Sequence, residues 1–249
     1  MTLSVSRPGT RDRVAVLQAR IRDMQAPKLA TRAVPTLAAC AGFLPDGTLR
    51  EGTIIESQGS LRLVMSLLAG ASQAGRWTAV VGVPEFGVEA AASFGIALDR
   101  LVLVPRPGPH WLTVVATLAE VVAVISVRPT SRVSAGERAR LEARLRDRSA
   151  SVIVAGEWAG ADVSLRASPR AWSGLGAGYG LLDATEIDVA ASGRGAFVVP
   201  RHAGVRFVDG GVEALAPKRV ALISRFPVEG ASADVPVEGT EMPLLARVG

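Results

Sequence analysis

The sequence predicts an α/β fold, a mostly parallel sheet flanked by helices with an antiparallel extension at one edge and a helix ahead of the core. Three observations carry this prediction. Between residues 52 and 155, apolar runs of four to seven residues alternate with stretches of helical length, the pattern of βαβ units. Helix boundaries are punctuated where that alternation needs them, by Ser60 and Ser134 at starts and by Gly75 and Gly95 at ends. After Trp158 the helical stretches stop, and short apolar clusters follow one another across Gly-rich turns, as antiparallel strands do.

In chain order, residues 1–12 carry no pattern. Val14, Leu17, Ile21 and Met24 then recur at helical spacing and form one apolar stripe, with Arg11, Arg13, Arg20 and Arg22 off it. Pro27 closes this helix, and the Pro/Ala/Gly-rich stretch 26–52 reads as a linker. A helix set apart by a linker must bury its stripe on its own core, on a second copy of the chain or on a partner. Residues 53–56 read as a buried strand, 57–60 as a loop, and 61–74 as a helix capped by Ser60 and stopped at Gly75. Further strands are expected over 78–83, 101–104, 121–127 and 151–155. Between them, helices are expected over 84–94 with Pro84 near the first position, over 110–120 after a rigid Pro105-Pro107-Pro109 loop, and up to Arg148 from a Ser134–Glu137 capping box. Short antiparallel strands are expected over 163–167, 184–190, 196–200 and 205–208. Beyond Pro217 only two apolar clusters remain, 220–223 and 242–245, which reads as a tail. The expected domains are a basic helix with its linker over 1–41, the α/β core over 42–216, and a tail over 217–249 that is a candidate partner-binding segment.

Composition sets the outer limits. Hydrophobic residues at 49% and charged residues at 20% are enough for a full core in 249 residues, which excludes a disordered chain. The mean hydropathy of +0.31 raises a membrane span, but the longest apolar stretch, 112–127, is broken by Glu120 and falls short of the roughly 20 residues a span needs. The first residues lack the apolar centre of a secretory signal, and the single Cys40 excludes an internal disulfide or a cysteine metal cluster. A cytoplasmic protein is the expectation. The net charge of +5 is unevenly placed: residues 1–50 hold eight Lys/Arg against three Asp, and 128–148 hold seven Arg against three acidic residues, while 228–249 is mildly acidic. Arg128, Arg132, Arg138, Arg140 and Arg144 form either a solvated helix face or a candidate phosphate or single-stranded DNA surface, with Trp158 either a base-stacking partner or a buried residue.

The strand–loop–helix from Gly52 to Ala74 lies where α/β folds bind phosphates. A phosphate loop needs G-x-x-x-x-G-K-[ST]: glycines so that backbone N–H groups wrap the phosphates, a lysine for their charge, and a hydroxyl for Mg²⁺. The chain offers Glu56-Ser57-Gln58-Gly59-Ser60-Leu61-Arg62, a short loop with one glycine and no lysine, whose only cation, Arg62, falls a turn into the helix. Hydrolysis also needs a carboxylate at the end of an apolar strand; Ser126, followed by Arg128, stands there instead. Glu56, Glu85 and Glu89 are the carboxylates that could substitute. His110 and His202 are too few and too far apart for a metal site, and the run 174–180, rich in glycine, reads as a turn between strands. No catalytic site, metal or cofactor is expected.

The order of elements resembles the RecA ATPase core, on "GTIIESQGSLRLVMSLLAGASQAG" and the following "GI…DRL" turn. Within that superfamily the degenerate loop and "VVGVPEFGVEAAASFGIALDRLVLVPRPGPHW" look like the actinobacterial ImuA-type proteins, over about residues 42–215. That resemblance implies an accessory, non-catalytic role in SOS-induced translesion synthesis and mutagenesis. The implied partners are ImuB, a Y-family polymerase homologue lacking catalytic residues, and through it an error-prone C-family polymerase and the sliding clamp. It also implies nucleoid association when in complex. RecA proteins hold single-stranded DNA on loops after the fourth and fifth strands; the segments here, 129–134 and 156–162, are short, so only weak DNA binding is expected. Self-association through the N-terminal stripe remains open. Two other readings compete, an ATPase with a remodelled loop and a SulA-like inhibitor of cell division that binds FtsZ.

Overall fold

A computed structural model describes residues 32–174, 184–193, 199–208 and 211–216. In it, Ala33–Val34 (β1) and Leu49–Arg50 (β2) form a two-stranded ladder ahead of the main sheet. The main sheet starts with Ile54–Gln58 (β3), followed by helix Leu61–Gln73 (α1), Thr78–Val81 (β4), helix Val88–Ser93 (α2) and Leu101–Val104 (β5). Helix Trp111–Leu118 (α3), Val124–Val127 (β6), helix Ala135–Arg148 (α4) and Ser151–Ala155 (β7) follow. Val163–Ser173 (β8), Ala184–Gly193 (β9), Arg201–Val208 (β10) and Gly211–Leu215 (β11) complete the sheet.

The nine strands of this sheet lie in the order β11-β10-β9-β8-β3-β7-β6-β4-β5. Every pair from β8 to β5 is parallel, and every pair from β8 to β11 is antiparallel. This is the expected fold class, a mostly parallel sheet with an antiparallel edge. Parallel strands bury both faces, so they are apolar throughout: every residue of β4 and β6 is buried, as are the first four of β7. One face packs α1 and the segment before β2, with Cys40, Phe43, Leu63, Leu67 and Leu68 at its centre. The other packs α3 and α4 through Trp111, Val115, Leu141 and Leu145. Leu141 and Leu145 are the fully covered residues of an otherwise charged α4, and truncating Leu145 to alanine costs about 2–5 kcal/mol by this geometry. No helix among the described residues is long and apolar enough to cross a membrane.

Several elements differ from expectation for identifiable reasons. The stretch read as a linker is ordered from Arg32 onward: 3-10 turns at Ala38–Phe43 and Pro45–Gly47 bury Cys40, Phe43 and Leu44 in the same cluster as α1. Gly70 permits this, because a Cβ there would lie 2.4 Å from the Cα of Thr36. The helix expected over 84–94 begins only at Val88. Phe86 N–H bonds to the Val83 carbonyl in a turn, and the extended Gly87 is the N-cap, so Pro84 is not a first-turn residue. Of the strand expected over 121–127, the first three residues are a turn. The N–H groups of Val121 and Val122 both bond to the Leu118 carbonyl, and Val121 is 74% exposed. The edge strands are longer than expected, since alternation of buried Leu165 and Ala167 with exposed Arg166 and Ser168 is a strand with one wet face. No strand is described at 199–200, and β11 was not expected. The N-terminal stripe (Val14, Leu17, Ile21, Met24), most of the 174–180 run and the tail lie outside the described residues.

Candidate functional site

Open α/β sheets bind ligands at the carboxyl ends of their strands, and there the chain turns from β3 into α1. Only Gly59 and Ser60 lie between Gln58 and Leu61. Gly59 has φ +88°, and an added Cβ would sit 2.3 Å from the Ala167 carbonyl oxygen, so the turn is pressed onto β8. The Ser60 hydroxyl accepts from Leu63 N–H at 3.2 Å, so the helix caps itself. Two residues cannot wrap a phosphate, and one of the N-terminal donors an anion would use is already occupied.

The other residues of the loop serve the fold around them. Glu56 accepts from Trp158 N–H at 3.1 Å and from the Gln58 side chain, tying β3 to the turn after β7. Arg62 points away from the loop, donating to the Thr185 hydroxyl at 3.1 Å with its guanidinium 5.9 Å from the Phe207 ring centroid. Leu61 packs at the rim of the core. Ser57 is buried in β3 and its hydroxyl has no partner among the described residues.

At the position of the missing carboxylate, Ser126 is fully buried between Val80 and Ile153, its hydroxyl also without a partner among the described residues. Beyond the strand, Arg128 N–H bonds to the Val81 carbonyl at 2.9 Å and its side chain pairs with Glu85. That hydrogen bond holds the Glu85 carboxyl below the usual carboxylate range. Glu85 is therefore neutralised by an arginine rather than free to hold a metal, and no cluster of metal-ligating side chains exists among the described residues.

The proposed DNA surface divides in two. Arg128, Arg132 and Arg138 line a recess of about 610 Å³ with Thr130, Ser131 and Trp158. Arg140 and Arg144 line a separate one of about 380 Å³ between α3 and α4, and Arg144 is spent on Glu120 at 2.6 Å. Trp158 is no stacking platform: it is 4% exposed and meets Trp111 edge-on, centroids 6.4 Å apart at 77°. Sequence reasoning cannot tell a buried tryptophan from an exposed one in a short loop, and here Trp111 decides. Arg138 donates to the Val133 carbonyl at 3.1 Å, whereas Arg132 makes no hydrogen bond or ion pair with the described residues. A second recess of about 370 Å³, lined by Ser57 to Leu61 and Val64, adjoins the first through Arg128, Ala155, Gly156 and Glu157. Thr130, Ser131 and Glu157 were not singled out in the sequence, because nothing local marks residues that meet only across the strand ends.

The chain is similar to three known proteins or families. A family model described as the MT3502 N-terminal domain matches residues 42–160. The uncharacterized protein Rv3395c of Mycobacterium tuberculosis is 32% identical over 122 residues, which is 48% of this chain and 60% of that protein, so the match spans less than two thirds of the relative. The KaiC-like protein PH0186 of the hyperthermophilic archaeon Pyrococcus horikoshii OT3 aligns over 75% of this chain and 100% of its own, at 14% identity and a TM-score of 0.49. The family match ends before Val163, so it takes in both adjoining recesses and leaves out the antiparallel extension.

Proposed function

We propose that the chain is a non-hydrolysing RecA-like accessory protein that acts by binding partners. The setting is the one its ImuA-type resemblance implies: translesion synthesis induced by DNA damage, through ImuB and, by way of it, the error-prone polymerase and sliding clamp. One observation supports the non-hydrolysing part. The β3–α1 turn is two residues long and capped by its own Ser60, while Arg128, paired to Glu85, stands beside the buried Ser126 where a metal-binding carboxylate would be. Phosphoryl transfer rests on positioning phosphates and metal, and neither has a holder among the described residues. Cytoplasmic location, with nucleoid association in the complex, belongs to the same proposal. DNA contact is confined to arginine–phosphate pairs, because the tryptophan beside those arginines is buried.

Co-expression with the ImuB-type protein followed by size exclusion tests the partner. Co-elution in one peak is expected. Separate elution, with FtsZ retained instead from damaged cells, would replace this reading with that of a division inhibitor.

A further inference from the structure

We propose that the two adjoining recesses form one trough that holds an extended segment of a protein partner, acidic at one end and apolar at the other. This rests on the partner-binding reading and says where a partner is gripped.

The trough is continuous because Arg128, Ala155, Gly156 and Glu157 belong to both recesses. A cleft made of two adjoining recesses suits a chain better than a compact metabolite. Its first end is cationic: Arg132 and Arg138 stand against Glu157, while the charge of Arg128 is balanced by Glu85. Arg128 and Arg138 are held in place by Glu85 and the Val133 carbonyl, so less rotamer freedom is lost on binding. Arg132 has its whole donor set available to the ligand among the described residues. The second end is walled by Leu61, Val64 and Ala155, a seat for an apolar side chain.

Nucleic acid fits less well. Its bases need an exposed aromatic face, and Trp158, the aromatic residue of the lining, is turned edge-on into Trp111.

The test pans a phage library of random 16-residue peptides against the full-length chain and, in parallel, against Arg132→Glu. Thermal unfolding of the variant confirms that this exposed side chain leaves the fold intact. Enriched peptides are expected to share an acidic residue followed within a few positions by Leu, Ile, Met or Phe, and to be absent from the variant panning. A synthetic peptide from that set is expected to bind Arg132→Ala about ten-fold more weakly, as loss of a charge-assisted hydrogen bond implies. Enrichment without acidic residues, enrichment indifferent to Arg132, or no enrichment overturns the proposal. So does displacement of the peptide by a dT15 oligonucleotide that binds more tightly. ATP turnover would instead overturn the non-hydrolysing reading, so the two failures are distinguishable.

Discussion

Replacing Gly70 by alanine should destabilise this protein, against the usual direction for such a change. In the middle of a helix, Gly→Ala ordinarily stabilises by about 0.5–1 kcal/mol. Gly70 lies within α1, but an added Cβ would stand 2.4 Å from Thr36 Cα, 2.6 Å from Thr36 C and 2.7 Å from the Pro35 carbonyl oxygen. All three are backbone atoms that cannot rotate away. Relief requires lifting the segment that carries Val34, Cys40, Phe43 and Leu44 off the helix, and each of these is buried. Overpacking costs about 1–3 kcal/mol, and at about 2–4 °C per kcal/mol for a domain of this size the midpoint falls by roughly 2–12 °C. Thermal and urea unfolding of the full chain, followed by circular dichroism, measures it. A variant as stable as the parent, or stabler, would mean that residues 32–50 do not pack on α1 and that the linker reading was right.

Three further outcomes follow from the same geometry. Ser134→Ala removes a hydroxyl that accepts from Glu137 N–H and donates to its carboxylate at 2.6 Å, and should cost about 1 kcal/mol by urea unfolding. The Ser134 hydroxyl and backbone N–H, both donating to it, hold the Glu137 carboxyl below its ordinary 4.5. A lowered carboxyl stabilises above the ordinary value and loses that stabilisation as pH falls through the lowered one, so the gap between parent and variant should narrow on acidification. The Cys40 thiol, pushed up to about 11 by burial with partial opposition from Ser66, should be inert to Ellman's reagent at pH 8 until the protein unfolds; immediate reaction would expose the 32–50 segment. Binding to single-stranded DNA, carried by about three arginines, should weaken roughly twenty-fold between 50 and 200 mM salt; nanomolar affinity that survives high salt would contradict it.

Much of the parallel half is legible in the sequence because its cues are local. The strands at Leu101–Val104 and Ser151–Ala155, the Ser60 and Ser134 caps and the Gly75 stop are each declared by residues in contact along the chain. The segment 32–50 has no such cue: its 3-10 turns lack periodicity, and its place is set by the glycine on α1 that lets it approach. Valines cannot declare whether they belong to a strand or to the turn before it, which is how 121–123 misled. At the candidate site, loop length and missing charges could be read directly. The trough could not, since it joins residues 57–64, 128–138 and 155–159 only after β3, β6 and β7 are laid side by side. Trp158 depended on tertiary context in the same way.

We propose a chain that works without phosphoryl transfer, its β3–α1 turn being two residues long and Arg128 standing paired to Glu85 beside Ser126. Titrating the full-length chain with a fluorescent ATP analogue and Mg²⁺, while following phosphate release, tests it most directly. No saturable Mg²⁺-dependent binding and no turnover is the predicted result; Mg²⁺-dependent hydrolysis abolished by Ser60→Ala or Glu56→Gln would contradict it.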